Sequence, residues 1–238
     1  MRSKAEVRQD VWQTMERDGV ARFPGAGGRI PNFAGAKGAA ERLARHPDWV
    51  RAQTMKVNPD SPQTHARRLA LAQGKVLVMA VPRLRDQHPF RLLDPRSLRG
   101  EALAEAATIK GALKHGRVID LDEVPPLDFV LTGSVAVNLK GARVGKGGGY
   151  SDLEFALLGE AGRIDRATVI ATTVHPVQIL RENLLVTDHD IPVDLVATPR
   201  AVIEVDGAFP RPRGILWHHL QPPQIREIPV LERMGYAG

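Results

Sequence analysis

Short, unbroken apolar runs recur along this chain as "KVLVMAVP" (75–82), "LDFVLTG" (127–133), "TVIATTVH" (168–175) and "VDLVATP" (193–199). A strand covered on both faces has no solvent side on which to place alternating polar residues, so each run predicts a strand inside a parallel sheet. Between them lie segments of helical composition, such as "LRGEALAEAATIKGALKHG" and "SDLEFALLGEAG". Alternating strands and helices predict an α/β fold with a mostly parallel sheet, and ligands of such sheets lie beyond the carboxyl ends of the strands.

Local signals fill in the remainder. Ser3 reads as an N-cap with Glu6 as its capping-box partner, Gly19 reads as a stop, and Val7, Val11, Trp12 and Met15 recur at helical spacing. That helix sets Lys4 and Arg8 one turn apart on a shared face. "AKGAAERLARHPDWV" predicts a second helix ending at Pro47 or shortly after, "AQTMKVN" a short strand, and "THARRLALAQG" a helix closed by Gly74. The organisation expected is one α/β domain over 1–205 followed by a proline- and arginine-rich tail over 206–238, which either wraps the domain through Ile215, Leu216 and Trp217 or stays mobile.

Composition narrows the function classes. Of 238 residues 43% are hydrophobic and 25% charged, the values of an ordinary globular protein, and the absence of cysteine removes disulfides, thiolate metal sites and a cysteine nucleophile. No apolar run is long enough to span a membrane and the N-terminus lacks a secretory h-region, so the expected location is the cytoplasm. A net charge of +6 favours anionic ligands such as nucleotides, polyglutamates or nucleic acid.

The densest chemical signal is "KGARVGKGGGYSDLEF" (140–155), set between a strand signal and a helix signal. Glycines let backbone N–H groups approach an anion, and the helix N-terminus adds its dipole. Lys146 supplies a point charge, Arg143 a fork suited to phosphate oxygens, and Asp152 a carboxylate able to hold hydrated magnesium. Each residue also has a plain reading: a flexible loop, a solvated cation, a carboxylate complementing the helix dipole. The spacing fits neither the Walker signature nor the dinucleotide fingerprint. His175, His189 and the pair His218-His219 show no metal-ligand spacing, and no Gly-x-Ser-x-Gly elbow is present. Arg83 and Arg85, just past a strand's carboxyl end, serve either a ligand phosphate or loop solubility.

The loop resembles the signature of the 5-formyltetrahydrofolate cyclo-ligase (5,10-methenyltetrahydrofolate synthetase) family, an Arg-Leu-Gly-x-Gly-x-Gly-Tyr-Tyr-Asp run. Here it reads Arg143-Val144-Gly145-Lys146-Gly147-Gly148-Gly149-Tyr150-Ser151-Asp152. The resemblance extends to about residue 205: Lys4 and Arg8 match an N-terminal Lys-x-x-x-Arg, "KVLVMAVPRLR" a central strand, and "HDIPVDLVATP" the closing strand with Asp194. "RIPNF", "KVNPDSP" and "PRLR" are similar to a divergent branch, the methenyltetrahydrofolate synthetase domain-containing proteins, whose animal members add an RNA-recognition domain; no RNP-like motif is present in this sequence.

The resemblance implies a three-layer α/β/α fold like that of ribose-5-phosphate isomerase and the CoA transferases. It also implies ATP- and Mg²⁺-dependent cyclisation of a reduced folate. Lys4, Arg8, Gly145, Lys146, Gly147, Gly148, Gly149 and Tyr150 would bind ATP, and Arg143 and Lys146 would neutralise charge on the transferring phosphoryl group. Asp152 and Asp194 would hold the metal, with Lys56 and Tyr150 on the substrate side. Other functions consistent with the residues are a non-enzymatic nucleotide- or RNA-associated protein on the same scaffold and a ligase or kinase for another small substrate. The sequence departs from the family pattern at Ser151, where a second tyrosine is usual, at Val137-Asn138 in place of Phe-Asp, and at Lys56, near the position of a folate-facing glutamate.

Overall fold

The structure, a computed structural model, describes residues 1–205, 207 and 209–235. It opens with α1 (Lys4–Arg17), where the Ser3 side chain accepts from Glu6 N and the Glu6 carboxylate accepts from Ser3 N, the reciprocal cap expected from the sequence. A ribbon of β1 (Ala21–Arg22) and β2 (Asn32–Phe33) leads to α2 (Ala36–Leu43) and α3 (Pro47–Arg51). Then come β3 (Thr54–Val57), α4 (Thr64–Ala72), β4 (Val76–Ala80), β5 (Phe90–Leu93), α5 (Glu101–Glu105), α6 (Ile109–His115) and β6 (Arg117–Ile119). The second half runs β7 (Phe129–Thr132), β8 (Ala136–Asn138), β9 (Arg143–Val144), α7 (Tyr150–Glu160), β10 (Val169–Thr173), β11 (Ile179–Leu180), β12 (Leu195–Ala197) and β13 (Val202–Glu204). Helices α8 (Pro222–Glu227) and α9 (Pro229–Arg233) close it.

Eight strands form one sheet in the order β13-β12-β10-β7-β3-β4-β5-β6. The five in the middle, β12, β10, β7, β3 and β4, are parallel, while β13 and β5 run antiparallel to their neighbours and β6 antiparallel to β5. Alternation along each strand sorts the core onto two faces. Met55, Leu77, Phe129 and Leu131 pack with Leu43, Trp49 and Leu71 on one side. Val78 packs with Leu157 and Leu158 on the other, and Val130 and Ile170 pack there with Phe155. Helices on both faces make the three-layer α/β/α arrangement.

Some boundaries differ from expectation for local reasons. The segment expected as one helix from Ala36 divides, because His46 is extended ahead of Pro47, which starts α3 instead of ending α2. "LRGEALAEAATIKGALKHG" divides where the Thr108 side chain caps Gly111 N at 3.0 Å. The signal "LDFVLTGSVAV" breaks at Gly133 and Ser134, so that β7 stays in the main sheet while β8 joins a three-stranded sheet ordered β11-β8-β9. In the C-terminal part, Ile215, Ile225, Ile228, Val230 and Leu231 are buried in the cluster that holds Leu157 and Leu158. The boundary expected at Asp206 lies outside the described residues.

One buried cation ties these parts together. Arg67 of α4 is 1% exposed and donates to the carbonyls of Ala107 (2.7 Å), Asn58 (2.7 Å) and Asp60 (2.9 Å). Burial pushes its guanidinium down to about 10, with the Asp60 carboxylate opposing the shift. Replacing Arg67 with Met leaves those carbonyls without their donor and is expected to cost roughly 3–5 kcal/mol in urea unfolding. A loss below about 1 kcal/mol would contradict this role.

Candidate functional site

The glycine loop occupies the gap between β9 and α7, the strand–loop–helix junction expected from sequence, although β9 belongs to the small sheet. Two glycines take conformations that L side chains rarely adopt, Gly147 at φ +105° and Gly149 at φ +68° as the N-cap of α7. The backbone N–H groups of Lys146, Gly147, Gly148 and Gly149 donate to no protein acceptor among the described residues. Unclaimed donors at a helix start are groups of the kind that can receive an anion.

Two clamps fix the loop. Arg143 is 3% exposed; it forms an ion pair with Asp152 Oδ1 and donates to Gly133 O at 2.9 Å, and Ile191 N donates to the same Asp152 oxygen at 3.2 Å. From α1, Arg8 Nε donates to Gly145 O at 2.7 Å, and a Cβ on Gly147 would sit 3.2 Å from the Arg8 Cζ. Burial lowers the Arg8 guanidinium from its ordinary range, against the pull of Asp190. Lys4, one turn earlier, reaches Asp190 Oδ1 at 2.6 Å and Oδ2 at 2.5 Å.

Lys146 carries the freest charge here, with its side chain 52% exposed and Nζ 4.0 Å from Asp60 Oδ1. Asp60 lies where a Cβ on Gly133 would collide with it. Burial pushes its carboxyl above the ordinary value, and Lys146, Arg67, Lys56 and Arg143 draw it back in part. Tyr150 begins α7 partly buried against the apolar cluster, its ring 3.0 Å from the place a Cβ on Gly148 would take.

Of the expected site residues, Lys4, Arg8, Arg143, Gly145 to Gly149, Tyr150 and Asp152 gather around this loop, with Lys146 in it. Asp194 does not. It precedes β12, at the amino end of the sheet, where its Oδ2 accepts from Ile170 N and Arg211, both at 2.7 Å. The carboxylate that "HDIPVD" contributes to the loop region is Asp190. Lys56 is likewise unavailable to a ligand: it is 1% exposed, 2.5 Å from Glu154 Oε2 and 3.0 Å from Asn58 Oδ1. Burial raises the Glu154 carboxyl, with Lys56 opposing the shift. Ser151 Oγ bonds Thr132 Oγ1 at 2.9 Å, and Asn138 Oδ1 accepts from Lys140 N and Ala142 N, so both departures from the family pattern serve local structure. Arg85 pairs with Glu227 at 3.4 Å.

A cleft of about 250 Å³ opens beside the loop, with Gly147, Gly148, Gly149 and Asp152 on one side and Ile215, Leu216 and His219 of the C-terminal segment on the other. His189 also lines it, so histidines without ligand spacing in sequence converge in space. A cleft of about 270 Å³ at the amino ends of β3, β7 and β10, lined by Asp48, Arg51 and Asp128, holds charged groups already engaged: Asp48 pairs with Arg51, and Asp128 accepts from Gln53 N and Thr54 N. For magnesium the donor set near the loop is suitable: Asp152 uses only Oδ1, and the Asp60 carboxylate accepts no hydrogen bond from a described residue.

A glycine-rich loop with unclaimed amides at a helix start, flanked by Lys146 and Arg8, sits on this α/β/α scaffold. The family model for the 5-formyltetrahydrofolate cyclo-ligase family matches residues 1–199, and the chain belongs to that family. It is 37% identical over 236 residues to the bovine (Bos taurus) methenyltetrahydrofolate synthase domain-containing protein and 39% identical over 242 residues to the mouse (Mus musculus) one, covering 98% and 99% of this chain. The chain spans 62% and 65% of those relatives' lengths. Its fold is that of an NMR structure of Aquifex aeolicus 5,10-methenyltetrahydrofolate synthetase, with a TM-score of 0.55 at 19% identity over 91% of this chain and 99% of that one.

The Lys4–Asp190 pair carries a pH signature. Burial alone would raise the Asp190 carboxyl, but hydrogen bonds from Lys4 and Thr187 outweigh it and hold the group below its ordinary 3.8. The ionised pair therefore stabilises the fold fully above pH 3.8 and loses that contribution as the pH falls through the lower folded-state value. Asp190→Asn is expected to cost roughly 1–3 kcal/mol at neutral pH, the gap from the parent shrinking as the pH drops below about 4. Denaturant titrations across that range check it, and a constant gap would contradict it.

Proposed function

We propose that this chain binds Mg-ATP at the glycine loop and closes 5-formyltetrahydrofolate to 5,10-methenyltetrahydrofolate. The observation that carries this reading is the row of N–H groups from Lys146 to Gly149, which have no acceptor among the described residues, lead into α7 and include the exposed Lys146. It is supported by membership of the cyclo-ligase family.

In this reading the loop amides and Lys146 hold the triphosphate and neutralise charge that spreads over the γ-phosphoryl oxygens as it transfers. The formyl oxygen attacks the γ-phosphorus and ADP leaves. N10 then attacks the activated formyl carbon and loses its proton, and the C–O bond breaks to release phosphate. Such chemistry needs in-line positioning more than covalent help. Arg143 has a positioning part, since its charge is spent on Asp152 and it acts by holding the loop ends. Magnesium, held through Asp152 and Asp60, would supply further charge neutralisation on the phosphates. Lys56 stays out of the substrate contacts because it is buried and paired with Glu154.

Purified protein with ATP, Mg²⁺ and 5-formyltetrahydrofolate is expected to develop the near-ultraviolet methenyl absorbance with matching ADP release. Lys146→Ala is expected to lower kcat/KM for ATP roughly 10- to 1,000-fold. Thermal stabilisation by Mg-ATP without any methenyl product would reject the cyclisation and leave a nucleotide-binding protein on a cyclo-ligase scaffold.

A further inference from the structure

His189 lies in the loop leading to β12, and His219 closes the turn Trp217–His219 in the C-terminal segment. Their Nδ1 atoms stand 3.0 Å apart, their rings are nearly perpendicular at 89°, and both side chains line the cleft beside the glycine loop. Asp188 adds a carboxylate oxygen 3.7 Å from His219 Nε2. One ligand atom from each of the three residues lies within 4.8 Å of the others, and no other such trio converges among the described residues.

An ion bound at about 2.0–2.1 Å by tetrahedral ligands sets them roughly 3.3 Å apart, so small side-chain rotations bring this set to a coordinating geometry. Two imidazoles and one carboxylate suit zinc, cobalt, nickel or copper, whereas magnesium prefers oxygen ligands and retained water. The chemistry is thus separate from the carboxylates at Asp60 and Asp152. We propose that Asp188, His189 and His219 form a site for a divalent transition-metal ion of the zinc type, with three protein ligands and a position left for water or an anionic oxygen.

Such an ion joins parts that the chain keeps thirty residues apart. His189 adjoins Asp190, which holds Lys4, and His219 belongs to the segment that forms the far wall of the cleft. Occupancy therefore fastens that wall to the loop that anchors α1. The inference does not depend on the identity of the nucleotide or the folate.

The tag-free 238-residue chain without nucleotide, titrated with Co²⁺ in a non-chelating buffer, tests this. The expected result is one equivalent of cobalt with intense visible d–d bands, displaced by Zn²⁺. His189→Ala and His219→Ala are each expected to weaken binding at least about tenfold, and Asp188→Asn by a smaller factor. His65→Ala, on α4, is expected to change nothing. Circular dichroism melts of the metal-free variants, expected to match the parent, separate loss of a ligand from loss of fold. Absence of the bands under a large molar excess of cobalt, or bands that survive in the double variant His189→Ala/His219→Ala, would overturn the proposal.

Discussion

The ion pair between Arg143 and Asp152 is the interaction on which the rest of the site depends. These residues bracket the glycine loop, one before it and one after it, so pairing them closes the loop at its base. The same guanidinium reaches Gly133 O and Ile191 O, and Ile191 N returns a hydrogen bond to Asp152. Four separate pieces are thereby joined: the end of β7, the start of β9, the first turn of α7 and the approach to β12. With its ends held and Arg8 fastened to Gly145 O, a glycine-rich stretch that would otherwise carry a large conformational entropy is largely ordered before any ligand arrives. That order leaves the N–H groups of residues 146–149 without partners among the described residues.

Below the loop the charges are arranged to cancel inside the protein. Lys56 and Glu154 are both almost wholly buried, and Asn58 bridges them by accepting from the lysine and donating to the glutamate. Ionised partners survive such burial only when each is paired and hydrogen-bonded, and loss of one strands the other. Lys56 thus has its counter-charge supplied from α7. Buried in this way, Lys56 adds no exposed cation.

Much of the fold was legible because buried parallel strands must be unbroken apolar runs, as "VLVMA" and "FVLT" are. The short antiparallel strands β5, β6 and β13 give no such run, so periodicity does not mark them. In the site, the glycine loop and Asp152 were legible because chain neighbours supply both the loop and the helix start. Asp194 was misplaced because sequence does not say at which end of a short strand a carboxylate falls, and β12 begins only at Leu195. Asp190, Asp60 and His219 owe their positions to tertiary packing. Two signals were available in principle: a lone Lys56 within an apolar strand, and a lone Glu154 within the apolar face "LEFALL", each of which needs a buried partner.

The central claim is that the free N–H groups of the glycine loop bind the phosphates of Mg-ATP. The chain has 22 glycines, so ¹⁵N-glycine labelling with two-dimensional NMR reads the loop directly against distant controls. On titration with Mg-ATP the amides of Gly147, Gly148 and Gly149 are expected to shift together and saturably, while Gly74 and Gly162 stay still. Shifts confined to Gly162, which lines the opposite cleft, or an unperturbed glycine loop at saturating nucleotide, would contradict the account.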